Sequence, residues 1–114
     1  MEEKNTEKKI SELRFTADGK EYTLAFTRET MIKTEGMGFV LAEVYEKPMT
    51  AITQLWRGAF FAHHGTLTFA ERDALLERVD NHKLLDTLID LYNAPIESLF
   101  DEENSKNAIK WTVT

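Results

Sequence analysis

The sequence contains no cysteine. Disulfides, thiol catalysis and cysteine-ligated zinc or iron–sulfur centres are thereby excluded; the chain suits a reducing compartment and must draw its stability from packing. No apolar run approaches the ~18 residues needed to span a bilayer, and the N-terminus MEEKNTEKKI lacks the apolar segment of a signal peptide. A cytoplasmic protein with no membrane partner is expected. The 14 Lys and Arg, adjacent only at Lys8-Lys9, are scattered among 20 Asp and Glu, leaving a formal charge of −6 and no basic stripe to engage a phosphate backbone. Nucleic acid is not an expected partner.

Catalytic signatures are equally scarce. The serines are Ser11, Ser98 and Ser105, and none sits in a nucleophile-elbow motif. His63 and His64 are adjacent, so on a helix they point about 100° apart and lack the i, i+4 spacing that lets two imidazoles share an ion. His63 reads instead as a partly buried histidine near a helix end, where the carboxyl-terminal dipole tolerates charge. Glu35-Gly36-Met37-Gly38-Phe39 lacks the preceding strand, third glycine and Lys-Ser/Thr pair of a phosphate loop, and reads as a helix stop. The segment TFAERDALLERVD (68–80) has more acids than bases, the wrong balance for a helix in a DNA groove. No catalytic, cofactor-binding or metal residue is expected, no cofactor is implied, and the reading is non-enzymatic.

What remains is a folded chain of one domain's size: 114 residues, 42% apolar and 30% charged. Residues 1–9 are polar and are expected to fray; 10–100 form the single globular domain. Residues 101–114 read as the polar linker DEENSKN followed by a short strand or tail, in which Ile109, Trp111 and Val113 alternate with polar residues. The fold class is α+β, an N-terminal β-hairpin packed on a mostly helical domain of four to five short helices. Asp18-Gly19 is a favoured two-residue hairpin turn and sets the pairs Phe15 with Tyr22 and Leu13 with Leu24 on one apolar face. Thr27 is predicted to cap a helix running to about Glu35, with Glu29 in its first turn. The run Phe39 to Tyr45 reads as a helical turn.

Thr50 is predicted to cap the next helix, whose Ile52, Leu55, Trp56, Ala59, Phe60 and His63 recur at helical spacing and which Gly65 stops. Thr68 and Glu71 have the spacing of a capping box for a helix that turns Leu75, Leu76 and Val79 inward and leaves Arg72 on the solvent side. Asn81 is expected to break it. Leu84, Leu85, Leu88, Ile89 and Tyr92 mark another stripe, and Pro95 permits a fresh turn through Phe100. Trp56 and Leu88 lie at the centres of the two clearest stripes. Phe60 and Phe61, neighbours on one helix, cannot both face a narrow core; either that helix is broadly buried or one ring marks an interaction face.

Across residues 11–100 the chain resembles the small tail assembly chaperones of long-tailed phages and prophages, the group that includes the lambda G protein. The resemblance lies in GFVLAEVYEKP ahead of the helix that Thr50 is predicted to cap, the LWRGAFFAHH run, LTFAE opening the next helix and the closing LIDLYNAPIESLF. It implies a cytoplasmic assembly factor of the bacterial host cell that binds the tape measure protein and helps tail tube protein subunits polymerise around it, with possible self-association and no catalytic residue. A structural head–tail connector or minor tail protein of a phage is an alternative, and a host adaptor or regulatory domain a further one. With this resemblance, the apolar surplus at Phe60, Phe61, Leu99, Phe100 and Trp111 marks the expected protein-interaction residues.

Overall fold

The computed structural model describes residues 10–80, 83–99 and 111–113. Residues 1–9, 81–82, 100–110 and 114 lie outside them, and with them the expected break at Asn81, Phe100, the linker DEENSKN and Ile109 of the expected strand. The fold is α+β, an antiparallel hairpin followed by helices.

Strands β1 (Leu13–Ala17) and β2 (Lys20–Leu24) pair in the expected register, Leu13 with Leu24 and Phe15 with Tyr22. Asp18 and Gly19 both take positive φ, 54° and 80°, as the tight hairpin turn demands. The hairpin then lays its aromatic face on the helices, with Phe15 stacked between Tyr22 at 5.1 Å and Trp56 at 5.6 Å. Its tip is tied down by two hydrogen bonds from Arg78 to the Asp18 carboxylate, 2.8 and 3.1 Å.

Helix α1 (Arg28–Gly36) starts where Thr27 and Thr30 exchange side-chain to backbone bonds. A 3-10 turn at Leu41–Glu43 follows, flanked by buried Phe39 and Val44. Helix α2 (Pro48–Ala59) begins earlier than Thr50 would place it. Pro48 occupies its first turn, where a fixed φ suits the helix and the missing N–H is no loss, so no side-chain cap is needed. The apolar run does not continue as one helix either: it breaks at Phe60, and a short α3 (Phe61–His64) ends at Gly65.

Thr68 and Glu71 form the expected capping box on α4 (Phe69–Leu76). Helix α5 (Leu84–Leu99) is continuous for 16 residues through Pro95, instead of restarting there. Trp111 and Val113 are exposed and outside any strand.

Helix α2 is the hub, packing on α1, α4 and α5. Leu55, Trp56, Ala59 and Phe60 have no exposed surface, and neither do Leu88 and Leu91 of α5. The approach of α1 to α2 is set by Gly58, where any Cβ would collide with the buried Thr34 side chain. Leu75, Leu76 and Val79 pack half-buried at the edge of this core.

The solvent-side placement of Arg72 is overturned. It is 1% exposed. Its guanidinium donates to the carbonyls of Arg57 (2.7 Å), Leu67 (3.0 Å) and Gly65 (3.1 Å), and lies against Phe61 and Phe69. Arg57 lies in the last turn of α2, where its carbonyl receives a long 3.4 Å bond from the Phe60 N–H, and Gly65 caps α3, so both carbonyls sit at the helices' negative ends with acceptor capacity that needs a donor. A buried cation with several donors in a fixed fork meets that need, which an apolar side chain could not. Outside it, Arg57 grips Asp73 in a bidentate pair at 2.9 and 2.6 Å, which holds the Asp73 carboxyl below its ordinary pKa.

Candidate functional site

The sequence of α1, RETMIKTEG, is mostly polar, and the helix buries Thr30, Met31 and Thr34. Ile32 is about 100° around the helix from Met31 and is 59% exposed. Across from it, Gly38 takes a φ of 103° and turns the chain so that Phe39 goes inward while Val40 and Leu41 stay exposed. Pro95 and Ile96 of α5 close the third side. Two connected depressions result. One, of about 390 Å³, is lined by Arg28, Met31, Ile32, Glu35, Pro95 and Ile96. The other, of about 400 Å³, shares Met31, Glu35 and Ile96 with it and continues over Phe39, Val40, Leu41 and Tyr92. Together they make one groove with apolar walls.

Tyr92 supplies its floor. Its ring is held edge-on by Phe26 at 5.2 Å and Phe39 at 5.0 Å, and its hydroxyl donates to Glu35 at 3.1 Å. Burial, reinforced by that carboxylate, pushes the phenol up to about 12, so it remains a donor at physiological pH. Beyond Leu41, exposed Tyr45 donates to Asp86 of α5 at 2.9 Å, tying the 3-10 turn to the helix. That bond, with Asp90 close by, also raises the Tyr45 phenol.

Of the five sequence-predicted interaction residues, the side chains of Phe60, Phe61 and Trp111 are described, and Phe60 is not on the surface. Phe60 is corrected to a core residue with no exposed area, because the chain breaks at this position and turns its ring onto Trp56 and Tyr22. Phe61 is half-buried on the Arg72 guanidinium at 4.6 Å, with Lys33 on the ring at 5.1 Å. Leu99 is the last residue of α5, and its side chain, like Phe100, lies outside the described residues. Trp111 is 79% exposed. The groove residues Ile32, Val40, Leu41 and Ile96 were not singled out in the sequence. A signal existed: Met31 and Ile32 are adjacent apolar residues on a polar helix, the same conflict noted at Phe60 and Phe61.

The expected partial burial of His63 is corrected. His63 is exposed, whereas His64 is half-buried and its Nε2 accepts the Thr23 backbone N–H at 3.0 Å. Among the described residues, no group of three or more His, Asp or Glu side chains could hold a metal ion, and no helix is long and apolar enough to cross a membrane.

A family model, Domain of unknown function (DUF5055), matches residues 4–114, nearly the whole chain. The chain belongs to the DUF5055 family. Neither a curated protein nor a solved structure is significantly similar to it. In this DUF5055 domain the groove has apolar walls over a floor where the Tyr92 hydroxyl is already bonded to the Glu35 carboxylate.

Proposed function

We propose that this domain is a tail assembly chaperone of a phage or prophage. In the bacterial cytoplasm it would bind the tape measure protein and assist polymerisation of the tail tube protein, without catalysis. The observation that carries the reading is the groove between α1 and α5, whose apolar side chains Ile32, Val40, Leu41 and Ile96 stand exposed around it. Exposed apolar grooves of this kind suit partner helices that present anchors at i, i+3 and i+4. The resemblance of residues 11–100 to tail assembly chaperones supplies the identity of the client.

The test is co-expression of the chain with a tape measure protein and a tail tube protein from the same genome, followed by co-purification. Wild type is expected to retain at least one of them, and Ile32→Asp to lose it while keeping its helical circular dichroism. Failure of wild type to retain either protein ends the chaperone reading.

A further inference from the structure

The charges around the groove are not mixed evenly. Asp86, Asp90 and Glu97 are spaced i, i+4 and i+11 along α5, so they share one strip of that helix. Ile89 and Ile96, seven apart, lie on the neighbouring strip, and Ile96 lines the groove. All three acids are exposed, and among the described residues none forms a salt bridge. Asp86 accepts from the neutral Tyr45 hydroxyl, and Glu35, within the groove, accepts from Tyr92, so neither charge is cancelled. Arg28 is the base lining the groove, while Lys47 beyond its rim is paired with Glu43 at 3.8 Å.

We infer that the α1–α5 groove binds an amphipathic helix of another protein whose apolar stripe is flanked by lysine and arginine. This deepens the reading of the groove as a protein-docking site and rests on it. The apolar walls take the stripe, and the Asp86, Asp90 and Glu97 strip pairs with basic flanks as it lies along α5. Complementary potentials of this sort set orientation and exclude wrong partners more than they add affinity. A second copy of this chain is a poor occupant, since two-fold pairing would set one acidic strip near the other. Phosphate-bearing surfaces are repelled for the same reason.

Two synthetic peptides of ~18 residues with the same leucine stripe at i, i+3, i+4 and i+7 test this, one with lysine flanks and one with glutamate flanks. Fluorescence anisotropy against the full chain is expected to show the lysine peptide binding at least about tenfold tighter, with an advantage that shrinks as salt is raised. Asp86→Asn with Asp90→Asn should reduce that advantage. Ile32→Ser with Ile96→Ser, which leaves the charge unchanged, should weaken the lysine peptide about tenfold or more. Both pairs are surface changes, and circular dichroism verifies the fold. Equal binding of the two peptides, binding unaffected by the double serine variant, or no binding of either peptide overturns the inference. If it falls while wild type still co-purifies with tape measure or tail tube protein, the chaperone reading survives. Selective peptide binding without co-purification would remove the chaperone reading alone.

Discussion

Trp56 and Arg72 hold each other in place from both directions. The Trp56 indole N–H donates to the Arg72 backbone carbonyl at 2.7 Å, and the Arg72 guanidinium donates to the carbonyl of Arg57, the residue after Trp56, also at 2.7 Å. Helices α2 and α4 are thus joined by two bonds, one buried and one partly buried, whose donors are both side chains.

Trp56→Ala is expected to cost about 3–5 kcal/mol, from lost burial and the remaining cavity. Trp56→Phe keeps most of the apolar volume and loses the indole's bond to the Arg72 carbonyl, which α4 still serves as a helical acceptor, a loss of about 0.5–1.5 kcal/mol. Urea denaturation midpoints separate the two. An unchanged midpoint for Trp56→Ala contradicts the central position of α2.

Arg72→Leu leaves the carbonyls of Arg57, Gly65 and Leu67 without this donor, and should destabilise by about 2–5 kcal/mol. Arg72→Lys, with one nitrogen instead of a fork, should recover only part of that. A surface arginine would show changes within about 0.5 kcal/mol, so the same urea experiment decides the matter.

Gly58→Ala and Gly36→Ala form a matched pair. A methyl at Gly58 drives into Thr34 and is expected to cost about 1–3 kcal/mol, whereas a methyl at Gly36 meets nothing within 4 Å. Gly36→Ala should leave stability unchanged or raise it by up to about 1 kcal/mol. Thermal melts showing equal effects would contradict the tight crossing of α1 and α2.

His64 makes stability depend on pH. Accepting the Thr23 N–H through Nε2 requires a neutral ring with its proton on Nδ1. Burial first, then the positive charges of Lys20 and His63, lower its pKa in the folded chain. At neutral pH and above, both folded and unfolded forms are deprotonated and nothing is lost. Below the unfolded value of about 6.5 the unfolded chain takes up a proton that the folded chain resists. Stability therefore falls with pH through this window, and the loss is complete once the folded pKa is passed. The variant His64→Gln, whose amide oxygen can still accept, should have a shallower slope there. A slope identical to wild type would show that His64 is not responsible.

The hairpin register, the Thr27 and Thr68 caps and the Trp56 and Leu88 stripes were legible because each is set by residues close in sequence, whereas the Thr50 cap was displaced by Pro48. Arg72 was partly legible. It lies three, four and seven residues before Leu75, Leu76 and Val79, so helical spacing already placed it on the inward face, and its charge argued the other way. What resolves the conflict is the convergence of carbonyls from positions 57, 65 and 67, a tertiary event no local pattern records. The groove was hidden for a similar reason: it needs α1, the Gly38 turn and the end of α5 side by side. Phe60 and Phe61 had to differ, as neighbours on a helix, but which ring went inward depended on the break between α2 and α3.

The His64 contact also gives the hairpin one closed edge. Thr23 in β2 and Ala25 just beyond it point their N–H groups the same way and donate to His64 Nε2 and to the Ala59 carbonyl, 3.0 and 3.1 Å. Among the described residues, no comparable bond covers the outer side of β1. A strand that adds to this sheet must therefore arrive at β1, and if it comes from a second copy, that copy's own capped β2 ends the sheet. Edge pairing here is self-limiting: it can close a dimer and cannot propagate into a fibre.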